Sequence, residues 1–297
     1  MSTLNVTRGP DWQRMSQNVR ASAHGGWVER CARLGFTAQG VVYTIIGYLA
    51  LRLALGAGGG QTTDAHGAIE RVADQPFGVF LLALLTVGLA AFVTWRWVQA
   101  LVDPEHEASH GKALVKRVGW FISGAIYAGL AANAVRRILG RAHPGGDSAR
   151  SWTAKALSQP MGQVFVAIVG LIIIGYAVKE LHSAYTTHFR DKLDLQGLTA
   201  RHSSTIVQLC RFGLAARGGV FLLIGGFLGS AALHSNAREA KGLGEALATL
   251  ARQPHGAVLL GVAAAGLLAY ALYLFLLARY QRIGPSNQAQ HQVSAYR

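Results

Sequence analysis

Three groups of residues in this sequence have types and spacings that could do chemistry. His106-Glu-Ala-Ser-His110 sets two histidines one helical turn apart with a glutamate between them. In zinc peptidases that H-E-x-x-H pattern binds metal through both imidazoles and activates water with the carboxylate. The surroundings here argue for coincidence: the pentapeptide follows Pro104 in a short polar linker, and no third ligand is evident, although His182 and His188 could approach from the same side. The expectation is therefore no catalytic residue, no cofactor and no metal, with His106 and His110 the candidate ligands if a metal were bound.

The second group is Arg33, Arg117 and Arg211, and the third is Gln39, Ser123 and Arg217, each set recurring at one position of a repeated pattern. Arginines at helix ends ordinarily snorkel to lipid headgroups and fix topology. Three of them related by a symmetry axis could instead line the mouth of a pore or bind anionic lipid headgroups. Arg217 lies deeper, where its counterparts are Gln39 and Ser123, so the three polar groups could share a cavity at one depth. Arg96, flanked by Trp95 and Trp97, and Lys179-Glu180 read as an interfacial aromatic and charge belt. With Glu180 placed at an edge, no carboxylate is expected inside a helix, which weighs against proton-coupled transport. Asn133, Tyr43 and Tyr127 are mid-membrane polar groups that need interhelical hydrogen bonds. The glycine run at 56–60 lacks a following Gly-Lys-Ser and reads as a loop.

The elements that must position these residues are membrane-spanning helices. Of 297 residues, 51% are hydrophobic, only 14% are charged and 36 are glycine, a balance too apolar for an ordinary soluble domain. Six stretches are long enough to cross a hydrocarbon layer of about 30 Å. They are Leu34–Leu55, Phe77–Val98, Val118–Leu139, Met161–Val178, Phe212–Leu233 and Gly256–Ala278. The net charge of +14 would suggest nucleic acid in a soluble chain, but here the basic residues flank spans and no nucleic-acid partner is expected. The polar first thirty residues lack a signal peptide's apolar core, leaving the first span as the insertion signal.

The spans repeat. R-x-G-x4-G-x2-[YF] opens the odd ones at Arg33–Tyr43, Arg117–Tyr127 and Arg211–Phe221, and Q-P-x-G precedes the even ones at Gln75–Gly78, Gln159–Gly162 and Gln253–Gly256. Gly35 to Gly78, Gly119 to Gly162 and Gly213 to Gly256 have the same separation, which chance does not produce three times. Two spans per unit make the copies parallel, related by an axis along the membrane normal. The fold class is thus an all-α integral membrane protein: six transmembrane helices as three parallel two-helix repeats with pseudo-threefold symmetry. Its parts are a polar arm 1–32, repeats 33–100, 117–181 and 211–278, linkers 101–116 and 182–210, and a polar tail 279–297.

Small residues recur every seven positions on the odd helices, Gly40 and Gly47, Gly124 and Ala131, Gly218 and Gly225, beside a row of rings at Phe36, Tyr43, Trp120, Tyr127 and Phe221. Such seams let helix backbones approach closely in lipid. The proline of Q-P-x-G is expected in the first turn of each even helix. Upstream of it, Ala68–Ala73, Ala154–Leu157 and Glu245–Ala251 read as short amphipathic turns on the outer surface. The excess of Lys and Arg on one side expects cytoplasmic N and C termini in a bacterial inner membrane, with Cys31 and Cys210 both on the reducing side.

The R-x-G-x4-G-x2-[YF] openings, the Q-P-x-G starts and the Asp103-Pro-Glu-His linker resemble the bacterial family called domain of unknown function 1206, from about Arg33 to Ala278. The resemblance implies six helices in three tandem units and carries no mechanism. The leading expectation for function is a non-enzymatic cell-membrane protein handling a small solute, ion or lipid in a bundle-axis site. The alternatives are a scaffold that binds another membrane protein and, more remotely, a zinc hydrolase. The partners expected are the bilayer, anionic lipid and a second membrane protein.

Overall fold

The structure is a computed structural model that describes residues 26–102, 110–141, 148–186 and 200–280. Among them are six long helices: α1 (Gly26–Ala54), α3 (Gly78–Val102), α4 (His110–Ile138), α6 (Gly162–Thr186), α7 (Ala200–Leu233) and α9 (Gly256–Tyr280). Three short ones, α2 (Ala65–Ala73), α5 (Ser148–Leu157) and α8 (Leu243–Ala251), precede the even spans. All six long helices carry a stretch apolar and long enough to cross a bilayer. The chain is a multi-pass membrane protein of three tandem units.

Local chemistry explains where the even helices begin. In Q-P-x-G the amide of Gly78 donates to the Gln75 carbonyl at 2.8 Å, and Gly162 and Gly256 repeat the bond at 2.9 and 2.8 Å. Phe77, Met161 and His255, the x residues, have φ of 61°, 62° and 61°, so each motif is a tight turn with its third residue left-handed. The proline therefore sits in the turn, two residues before the helix, and not in the helix's first turn as the motif alone suggests. The glycine is required because a Cβ there would strike the backbone carbonyl of Ala73, Ala156 or Ala251.

The fourth span runs to Thr186, well past the expected end at Val178, because Lys179-Glu180 is interior to the helix and does not terminate it. The odd helices begin upstream of their apolar stretches, α7 as early as Ala200.

Around the axis the spans stand in the order α4, α3, α1, α9, α7, α6. Each even helix packs on the odd helix of the next repeat: α3 on α4, α6 on α7, α9 on α1. The seam glycines lie in these interfaces. A Cβ added at Gly40 would come within 2.7 Å of Phe275, at Gly47 within 2.9 Å of Leu268, at Gly124 within 2.5 Å of Trp97, at Gly218 within 2.9 Å of Leu181, and at Gly225 within 2.6 Å of Ile174.

Packing within a repeat joins α1 to α3 and α7 to α9, whereas α4 and α6 lack the corresponding packed interface. The residues explain the difference. In the first repeat a Cβ on Gly88 would lie 2.6 Å from that of Ala38, and Gly266 meets Ala216 in the same way in the third. The second repeat has Ile122 and Ile172 at those two positions, both exposed. Two branched side chains replace an alanine and a glycine, so the backbones cannot close. Gly35 abuts Phe92 and Gly213 abuts Tyr270, while Gly119 has open space around it. The pseudo-threefold ring is open on one side.

A charged centre on the bundle axis

Two aromatic positions per repeat converge on the axis. On the odd helices they are Tyr43, Tyr127 and Phe221; on the even ones, fourteen residues after the motif glycine, Phe92, Tyr176 and Tyr270. They pair across the repeat boundaries with their rings edge to face: Tyr43 with Tyr270 at 4.9 Å and 78°, Phe92 with Tyr127 at 4.8 Å and 68°, Tyr176 with Phe221 at 5.9 Å and 62°. Edge-to-face geometry sets the positive ring edge on the negative face and adds about 0.5–1.5 kcal/mol per pair beyond burial.

Inside this cage lies Arg217, only 8% exposed. Its guanidinium carbon is 4.5 Å from the ring centre of Tyr270, 4.6 Å from Phe221, 5.5 Å from Tyr176 and 5.6 Å from Tyr43. The cation is thus held against the faces of four rings, where the quadrupole attracts it. Its Nε donates to the Tyr43 hydroxyl at 3.1 Å, and Nη1 donates to the Tyr176 hydroxyl at 3.0 Å and to Glu180 Oε1. Tyr176 in turn donates to the same carboxylate oxygen at 3.3 Å. Glu180 is buried at 9% exposure, and its Oε2 has no hydrogen-bond partner among the described residues.

A second guanidinium, that of the half-buried Arg96, lies near Arg217. Arg96 stands on α3 where α6 has Glu180 and α9 has Leu274. Its Cζ is 4.8 Å from the Phe92 ring centre, Nη1 donates to Gln99 Oε1 at 3.1 Å, and the buried Nε finds no acceptor among the described residues. It lies within electrostatic reach of Arg217, Tyr127, Tyr176 and Tyr270. Among the described residues the centre therefore holds two cations against one anion, about 9 Å below the level of Arg211, six residues away at 1.5 Å each. Burying an unbalanced charge is expensive, and one-for-one pairing is the usual remedy.

The family model described as "Domain of Unknown Function (DUF1206)" matches this sequence three times, over residues 34–103, 118–187 and 212–281. The chain belongs to the DUF1206 family. It is also similar to "Uncharacterized protein YxxB" of Bacillus subtilis (strain 168), 33% identical over 257 residues, covering 86% of this chain and 92% of that protein. No solved structure matches.

In this DUF1206 chain the symmetric arginines do not converge with Arg217. Arg33 pairs with Glu29 at 2.5 Å and reaches the Arg279 carbonyl at 3.4 Å, and Arg211 Nε donates to the Ala184 carbonyl at 2.9 Å. Each thereby caps the C-terminal end of an even helix from the preceding repeat, where a cation also meets the negative pole of the helix dipole. Arg117 is exposed. Gln39 is buried and Ser123 half-buried; the structure shows neither bonded to Arg217.

The belt reading of Arg96 and Glu180 is corrected: both belong to the axis, and a carboxylate does stand inside a helix. Sequence reasoning missed this because Lys179, its exposed neighbour, made the pair look like a span's end. The signal was available in the repeat register, which aligns Glu180 with Arg96 and Leu274. His106 and Glu107 lie outside the described residues, as does the His110 side chain. Cys31 and Cys210 are both free thiols.

At the opposite end of the bundle, α2 and α8 border a cavity of about 470 Å³ lined by Asp64, His66, Glu70, Asp74 and Glu245 among others. Asp64 caps α2, accepting from the amides of His66 and Gly67 at 3.0 Å each. Burial pushes its carboxyl up, but the His66 side chain and those amides outweigh it and hold the group below its ordinary value. The Asp64 carboxylate, 3.8 Å from His66 Nδ1, raises His66 in turn, against an opposing effect of burial.

Proposed function

We propose that the bundle-axis centre is a binding site for a single negative charge, and that the protein handles an anionic solute or lipid within a bacterial inner membrane, its termini in the cytoplasm. The observation that carries this reading is the imbalance of charge among the described residues: Arg96 and Arg217 against Glu180, with Arg96 Nε buried and lacking an acceptor among them. A bundle needing only stability would do better with apolar side chains at this depth. An anion between the guanidiniums would complete the neutralisation and accept from the free Nε. The aromatic cage holds Arg217 in place, so the site is organised before the ligand arrives.

The test is the melting temperature of the purified protein in neutral detergent, titrated with sodium acetate and with sodium phosphate, for wild type and Arg96→Gln. Binding to the folded state raises stability by about 2.7 kcal/mol when ligand is a hundredfold above its dissociation constant. Wild type should show such a rise with at least one anion, and Arg96→Gln should not. Equal responses in the two proteins, or none in either, would overturn the proposal.

A further inference from the structure

The open side of the ring has the composition of an entrance from the bilayer. Resting on the anion-site reading above, we infer that the gap between α4 and α6 admits a single-chain amphiphile with a monoanionic head, such as a long-chain carboxylate. Its chain would lie between the two helices and its head would reach the Arg96–Arg217 centre.

Four observations carry this. The interface that closes the first and third repeats is missing from the second. The cause is encoded locally, since Ile122 and Ile172 replace the Ala–Gly contact. The surface is apolar: Ile122 and Ile172 are both exposed, which suits a hydrocarbon chain. Finally, Tyr176 connects the gap to the centre: its residue is 44% exposed while its hydroxyl bonds both Arg217 and the buried Glu180. The excess of one positive charge selects a monoanion, and the depth of the centre favours a compact head over a bulky zwitterionic one.

The experiment uses the full-length protein in phosphatidylcholine nanodiscs with a diazirine-bearing oleate, the adducts mapped by mass spectrometry. The expected result is saturable labelling of α4 and α6 around Ile122 and Ile172, competed by unlabelled oleate and not by oleyl alcohol. Labelling should be lost in the Ile122→Ala, Ile172→Gly double variant, which restores the Ala–Gly pair of the other repeats. Even labelling of all outward faces, equal competition by the alcohol, or no effect of the double variant would overturn the entrance. Disulfide-linked dimers of Gly175→Cys forming in native membranes would also overturn it, because a second copy would then occupy the gap. The two proposals fail separately. If phosphate or acetate still stabilises wild type but not Arg96→Gln while oleate labelling is even, the anion centre stands and the entrance falls. If no anion acts, both fall.

Discussion

Three glycines at one repeat position should respond oppositely to the same methyl group. A Cβ at Gly35 would stand 2.6 Å from the Cβ and 2.7 Å from the Cα of Phe92, and at Gly213 it would meet the backbone of Tyr270. Carbon atoms pack at about 3.5–4.0 Å, so α1 and α3, or α7 and α9, must part by about 1 Å, enough to forfeit a quarter to a half of each contact's attraction. Overpacking of this kind costs about 1–3 kcal/mol. Alanine returns up to about 1 kcal/mol through its better helix propensity. Gly35→Ala and Gly213→Ala should therefore destabilise by a net of about 1–2 kcal/mol. At Gly119 no atom lies within 4 Å of the added methyl, so only the propensity gain remains and Gly119→Ala should be neutral or stabilising by up to about 1 kcal/mol. Reversible unfolding in mixed micelles, read by tryptophan fluorescence, measures all three. Were Gly119→Ala to lose as much as the other two, α4 and α6 would have to be in contact and the ring closed.

Removing one member of the central pair should cost far more than a surface pair would. Arg217→Gln strands Glu180 in the interior and should destabilise by about 3–5 kcal/mol, whereas adding Glu180→Gln should recover part of that loss in a double-mutant cycle by the same unfolding assay. Gly256→Ala drives a Cβ into the Ala251 carbonyl and should destabilise by at least about 1–3 kcal/mol, seen as a lower melting temperature. The His66–Asp64 pair predicts a pH signature. With His66 raised on folding, its contribution is full below the ordinary 6.5 and fades as pH rises through the folded value; with Asp64 lowered, its contribution is present above the ordinary 3.8 and fades as pH falls further. His66→Asn should thus lower the melting temperature most between those limits and least in alkaline buffer; a difference that grows with pH would contradict the assignment.

Much of the fold was legible because lipid imposes simple rules. Span length, the R-x-G and Q-P-x-G motifs and the fixed separation between them define the units, and glycines at seven-residue intervals lie where even and odd helices of adjacent repeats meet. What escaped was anything that depends on side-chain direction. Phe92, Tyr176 and Tyr270 look like ordinary apolar positions until the helices are wrapped round an axis, and Glu180 looks terminal beside Lys179. The arginines at 33 and 211 are spaced like a pore ring, yet backbone carbonyls of neighbouring helices draw them sideways. Symmetry in the sequence marked the scaffold, and departures from it marked the charged centre and the open side of the ring. Arg217, Arg96, Glu180 and the Ile122–Ile172 pair each stand where another repeat has something different.

Crystals soaked in sodium bromide would test the charged centre most directly, because bromide is a monoanion whose position anomalous scattering reports without a chemical assumption. An anomalous peak is expected between the guanidiniums of Arg96 and Arg217, absent in Arg96→Gln crystals. Peaks confined to the outer surface, with the space between those two side chains filled by protein atoms, would contradict it.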